Sequence, residues 1–391
     1  MDLMRKKNDD NKSFDLNLML GGPLYQLYLR LLYKRRIIAT ILLTWLPLLL
    51  LAFMDGFAFR DVKVPFIFDF DIHIRFLVSL GLFIAAEGVA RRYTQVIVCQ
   101  FIERDIISQE VRAKFDMLVT TADKLRNSSV ATVVLLIFVY TFGHFIWMKH
   151  NTLDIATWYG SMMNGQVKLT MAGYWYVYFS LPVFHFILLR WYYRVFIWGR
   201  FLWQVSRLPL RLNSLHPDRA AGMGFLKLCI PAFQLGLLAH TVLLSGLIAN
   251  RILHAGQTLP EFKLEIVSML LFLLLLVLTP QVFFIVSLVR AKRKGLIDYG
   301  RLACGYVNDF RSKWIEKNAN THNELLLGSS DIQSLADLSN SFNIVNEMRS
   351  VPFSSHTLIQ LLALTAFPLF PLLLTMIPLN EMIIRAIKIF L

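Results

Sequence analysis

Apolar residues fall in blocks along this chain. Seven windows of roughly 16–23 residues carry almost no charge, close to the ~20 residues a helix needs to cross a bilayer core. They lie at 37–53, 72–90, 130–148, 172–189, 225–249, 266–288 and 358–377. Between them, charged residues mix with apolar ones spaced three and four apart, the period of an amphipathic helix. The pattern predicts an all-α fold: a polytopic membrane helix bundle of six or seven spans with a helical collar on its cytoplasmic face. Segment 1–36 reads as a cytoplasmic N-terminal stretch with an interfacial helix. Residues 37–288 form a six-span bundle with helical loops 91–129 and 190–224. A further helical region occupies 289–356, and 357–391 holds the seventh run and an interfacial C-terminal helix.

The seventh run is ambiguous. Pro368 and Pro371 each remove a helix hydrogen bond, so 358–377 either spans with a kink or dips in and returns. The tail 379–391 is apolar apart from Arg385 and Lys388, as expected of a helix lying in the interface.

The loops have patterns of their own. In 54–75, Phe66, Phe68 and Phe70 alternate beside Asp69 and Asp71, predicting a short extended segment. Segment 91–129 lacks Pro and Gly and repeats apolar residues near 3.6, so it should carry the second span onward as one helix. From Tyr174 to Leu208 only Pro182 interrupts a helical pattern, and Arg190, Arg194, Arg200 and Arg207 fall within about a 140° arc. In 289–356, Leu302, Tyr306, Phe310 and Trp314 make one stripe. A second helix starts at Ser330 with Gln333 in capping-box position and is closed by Pro352. Both helices need an apolar partner surface.

Composition narrows the class. The 391 residues are 56% apolar and 17% charged, against about 25% charged in soluble domains. That excludes a soluble enzyme, a disordered chain and a disulfide-stapled domain. The net charge of +14 would suggest nucleic acid in a soluble protein. Here Lys and Arg concentrate in alternate loops, 30 on one side against 7 on the other. That asymmetry places the N-terminus and the large basic loops in the cytoplasm, so no nucleic-acid partner is expected. Cys99, Cys229 and Cys304 are scattered, without metal-ligand or redox spacing.

Ionisable groups inside spans are the default functional candidates, because burying them is costly. They are Glu87, His144, His185 and His240, with Lys227 at the entry to the fifth span. Glu87 either pairs with Arg91 one turn on or joins a polar path. The histidines are either hydrogen-bonded between helices or form a proton relay. The arginine stripe, Arg190, Arg194 and Arg200, is either a headgroup anchor or a basic vestibule drawing anions.

The most distinctive string is His216-Pro217-Asp218-Arg219-Ala220-Ala221-Gly222-Met223-Gly224-Phe225-Leu226, just before the fifth span. Gly222 and Gly224 permit close backbone approach where free N–H groups attract an anion. The plainer reading has Asp218 capping the helix. This string and Asp331-Ile332-Gln333-Ser334-Leu335-Ala336-Asp337-Leu338 resemble a family of bacterial polytopic inner-membrane proteins with an HPD-x-A-x-G-x-G-F-L loop and a D-I-Q-S-L-A-D-L helix. The resemblance covers most of the chain. It implies the membrane fold and the bacterial inner membrane, and carries over no catalytic residue.

No G-x-S-x-G, H-E-x-x-H or P-loop string is present, so no catalytic residue, cofactor or metal is assigned. Two functional readings remain. One is a channel or transporter for ions or small solutes, anions included, assembled as a homo-oligomer. The other is a membrane-embedded sensor or scaffold whose cytoplasmic helices bind a protein partner. Either chain would contact the bilayer, including anionic headgroups.

Overall fold

The computed structural model describes residues 33–60, 62–143, 157–163, 166–316 and 330–376. Among them are ten helices and one two-stranded hairpin, so the chain is an all-α polytopic bundle. Helix α1 is Tyr33–Met54, α2 Phe70–Glu103, α3 Gln109–Arg126 and α4 Ser129–Thr141. Strands β1 (Gly160–Met163) and β2 (Gln166–Leu169) follow. Then come α5 (Met171–Val205), α6 (Met223–Ala255), α7 (Leu259–Val282), α8 (Ile285–Trp314), α9 (Ser330–Asn346) and α10 (Ser355–Met376). Six of these helices, α1, α2, α5, α6, α7 and α10, are long and apolar enough to cross a membrane. The chain is thus a multi-pass membrane protein. The third apolar run is described only as far as Gly143, and the tail 379–391 lies outside the described residues.

Helices α2, α5 and α6 have 34, 35 and 33 residues. At 1.5 Å per residue each is about 50 Å long, some 20 Å more than a bilayer core. In α2 and α5 the helix runs past the apolar stretch at the end carrying the basic loops, called the basic end. Small and hydroxyl residues let the spans approach. Ser79 Oγ donates to the Ala239 carbonyl at 2.8 Å, joining α2 to α6. Ser180 Oγ donates to the Thr44 carbonyl at 2.7 Å, joining α5 to α1. Such polar links between spans hold where no hydrophobic force acts between helices in lipid.

Prolines are accommodated locally. Residues Tyr176–Ser180 of α5 form a π-turn just before Pro182. Pro182 has no N–H for the Tyr178 carbonyl, and Tyr140 Oη of α4 donates to that oxygen at 3.4 Å. In α10, Pro368 opens a 3₁₀ turn (Phe367–Leu369) and Pro371 a single α-helical turn (Phe370–Leu373), followed by a last 3₁₀ turn, so the helix continues turn by turn instead of breaking. Its first turn sits at the basic end. Its Leu369 and Leu372 pack with Ile248, Leu259 and Phe262 at the other end. The run therefore crosses the bundle and does not turn back.

Three sequence expectations change. The second span does not run on through 91–129. Helix α2 stops at Glu103, Asp105 takes a left-handed φ of 52°, and α3 begins afresh. The turn lets Val111, Phe115, Val119 and Ala122 fold back onto the basic half of α5. The sixth span ends at Val282, just after Pro280, and α8 begins as a separate helix at Ile285. The alternating phenylalanines are not a strand, because Phe66–Phe68 is a 3₁₀ turn. Among the described residues, extended pairing there is limited to Val64, bridged to Thr157 beside the β1–β2 hairpin. Trp158 is fully buried over Phe66, ring centroids 4.9 Å apart, and its indole N–H donates to Asp69 Oδ2 at 2.8 Å.

At the basic end, α8 and α9 form a two-helix arm. Asp331 ties them. Tyr306 Oη donates to its carbonyl at 2.9 Å, and Trp314 Nε1 and Lys313 Nζ reach Oδ2 at 3.0 and 2.9 Å. Within α9, Gln333 Nε2 donates to Asp337 Oδ1 at 3.0 Å. The partner surface each helix required is largely the other helix. Ile297, Leu302 and Val307 of α8 remain exposed.

Candidate functional site

The loop from His216 to Gly224 is the most heavily cross-linked polar feature at the basic end. Its centre is Asp218. Oδ1 accepts the backbone N–H groups of Ala220 at 2.8 Å and Gly222 at 3.1 Å, and Oδ2 accepts that of Gly224 at 2.8 Å. The anion expected at the start of the fifth span is thus the chain's own carboxylate. A β-carbon on Gly224 would lie 2.9 Å from Asp218 Oδ2, so only glycine brings that amide so close. Gly222 has a φ of 92°, which glycine adopts freely. Arg219 and Ala221 hold left-handed φ values of 54° and 53°, costing about 1 kcal/mol each. Exchanging Ala221 for Gly should therefore raise thermal stability by roughly that amount, read as a melting temperature in detergent. A neutral or lower value would mean that the buried methyl group contributes more than the strain costs.

Remote residues clasp this loop. Arg104, at the end of α2, donates to the Gly222 carbonyl at 3.1 Å, and its Nη1 lies 3.5 Å from Asp218 Oδ2. Arg349, just after α9, donates from Nη2 to the Asp218 carbonyl at 2.9 Å, and its backbone N–H donates to the Arg219 carbonyl at 2.8 Å. Arg219 Nη1 meets Glu347 Oε2 at 2.8 Å. His216 Nδ1 stands 3.0 Å from Asp218 Oδ1. Partial burial pushes the Asp218 carboxyl up. The amides of Ala220, Gly224 and Gly222, with His216, outweigh that and hold it below the usual carboxylate range. The loop thereby joins the ends of α2 and α9 to the start of α6.

The arginine stripe divides. Arg194 is 3% exposed, with Nη1 2.7 Å from Glu87 Oε1 of α2. Arg190 Nε lies 3.7 Å from the same oxygen. Arg200 is exposed, and Arg207 is exposed with its guanidinium 4.2 Å from the Trp203 ring centroid. Only the last part can reach headgroups. The first two close an inter-helix ion pair.

His240 is satisfied at both nitrogens. Nδ1 donates to the Gly236 carbonyl at 2.6 Å, which leaves Nε2 to accept from Tyr192 Oη at 2.6 Å. Around it, the rings of Phe83 and Trp191 lie 4.9 and 5.0 Å away. Gly236 makes room, since a β-carbon there would fall 2.3 Å from the Trp191 ring. His185 is half-buried on α5 and makes no hydrogen bond to His240. His144 lies outside the described residues. Among the described residues, no three His, Cys, Asp or Glu side chains are grouped to hold a metal ion.

Sequence reasoning missed Arg104, Arg349 and Glu347. Arg104 and Arg349 reach the loop from 118 and 131 positions away, and no local spacing encodes such a contact. Trp158 on Asp69 was missed for the same reason, being 89 positions apart. No family model, curated protein or solved structure matches the chain.

Proposed function

We propose that the chain is a membrane-embedded scaffold or sensor whose α8–α9 arm presents a cytoplasmic docking surface, and not a pore through its own bundle. The carrying observation is the clasp at Asp218, which locks the start of α6 to the ends of α2 and α9 through Arg104 and Arg349. A shift of α2 against α6 would be passed to the root of the arm, where Val345 and Met348 are buried. The space between α2, α5 and α6 supports the same reading. Phe76, Phe83, Phe184 and Trp191 fill it with ring centroids 6.0–6.2 Å apart, and His240 is sealed among them. A conduction path along this axis would have to displace large buried side chains from a close-packed interior.

Purified protein in liposomes should pass neither chloride nor potassium above the background of empty vesicles, across pH and voltage. Reproducible flux would overturn the scaffold reading. In sealed bacterial cells, a membrane-permeant thiol cross-linker should couple exposed Cys304 of α8 to another protein, and an impermeant one should not reach it. The adduct should disappear when Ile297 and Val307 are both changed to Asp. An adduct formed only between copies of this chain would replace the partner by self-assembly.

A further inference from the structure

A cavity of about 900 Å³ opens at the basic end between α2, the start of α6 and the start of α10. One part of its wall is cationic and the other apolar. Arg104, Lys227 and Arg349 line the first, with Asp218 as the acidic residue among them. Both Asp218 oxygens are already engaged by backbone N–H groups. Lys227 is exposed and has no ion-pair partner among the described residues. Arg349 Nε is buried without a hydrogen-bond partner. The wall therefore holds an excess of positive charge with donors to spare. Val96, Ile230, Pro231, Leu361 and Leu364 line the second part. Val96 on α2 and Leu364 on α10 are each 46% exposed on helices that are candidate spans, so this part opens sideways between the helices.

We propose that this cavity binds an anionic phospholipid from the cytoplasmic leaflet. Its phosphate sits among Arg104, Lys227 and Arg349, and its hydrocarbon runs along Val96, Ile230, Leu361 and Leu364. The argument is the order of surfaces along the cavity. Cations stand where the long helices leave the bilayer, and an apolar channel lies on the bilayer side. A soluble anion would use the first and gain nothing from the second. Basic pockets between spans on the cytoplasmic side recognise anionic head groups in this way. The site does not depend on the arm's having a protein partner.

Native mass spectrometry of the full chain, purified with phosphatidylglycerol and phosphatidylcholine in equal amounts, tests it. The expected result is one phosphatidylglycerol kept per chain after detergent washing, in preference to phosphatidylcholine. Lys227→Gln touches no ion pair and should lower that retention about fivefold, the effect of one cation beside an anionic head group. Leu364→Gln should lower it as well. Inorganic phosphate at millimolar concentration should not displace the lipid. Equal retention of both lipids, or retention unchanged in both variants, would overturn the proposal. Displacement by phosphate, with Leu364→Gln behaving as wild type, would overturn it in favour of a soluble phosphoryl anion.

Discussion

Replacing Asp218 by Ala is expected to cost about 3 kcal/mol, the scale of losing charge-assisted hydrogen bonds from partly buried donors. Three amides lose their acceptor together, at Ala220, Gly222 and Gly224, and Arg104 loses the carboxylate beside it. Because Arg349 holds this loop through backbone oxygens, the root of the arm should loosen too. The melting temperature in detergent reports the first effect. Protease cleavage between α9 and α10 reports the second. Asp218→Asn keeps the shape and one acceptor oxygen, and should fall between wild type and Ala. The acid dependence has a definite sign. The folded carboxyl titrates below its ordinary value of about 3.9, so its stabilisation is complete above that pH and is lost as pH falls through the folded value. The gap between wild type and Asp218→Asn should thus be constant near neutrality and close in strong acid. A gap that persists there, or no loss in Ala, would remove Asp218 from the centre of the clasp.

Glu87→Ala is the second large effect. It takes the carboxylate from 2.7 Å of an arginine that is 3% exposed, leaving positive charge between packed helices. Breaking one partner of a buried pair costs about 3–5 kcal/mol, whereas replacing both by apolar residues is close to neutral. Glu87→Ala should therefore lower the yield of folded protein sharply. Glu87→Leu combined with Arg194→Leu should restore most of it, as read by monodispersity and melting temperature. If the double variant folds as poorly as the single, the pair does more than neutralise charge. Wild-type folding of the single variant would mean that Arg194 finds another route to neutrality.

Much of this architecture was written in the sequence. Runs of apolar residues fix where spans lie, because an unpaired backbone in lipid has no alternative to a helix. The apolar runs thereby located all six long spans of the all-α bundle, but only α1 and α10 nearly to both ends, because α2 and α5 continue as helix well past their apolar stretches. The helical period gave α3, α8 and α9, and the spacing of Asp218 before Gly222 and Gly224 marked a capped helix start. Proline was read less well. It identified α10 as irregular, but whether the chain crosses or returns depends on what receives Leu369 and Leu372.

Only the tertiary structure decided which charges meet. Arg190 and Arg194 share a stripe with Arg200 and Arg207, yet two turn to Glu87 on another helix and two stay exposed. Helical periodicity fixes the direction of a side chain about its own axis and says nothing of what stands opposite. The clasp at Asp218 brings together residues separated by more than a hundred positions. The left-handed turn at Asp105 sends α3 back along α5 in a stretch free of Pro and Gly, and no local propensity announces it. Local pattern determines which segments must be helices in a membrane. The packing of those helices determines which of their polar groups are neutralised and where a cationic cavity is left open.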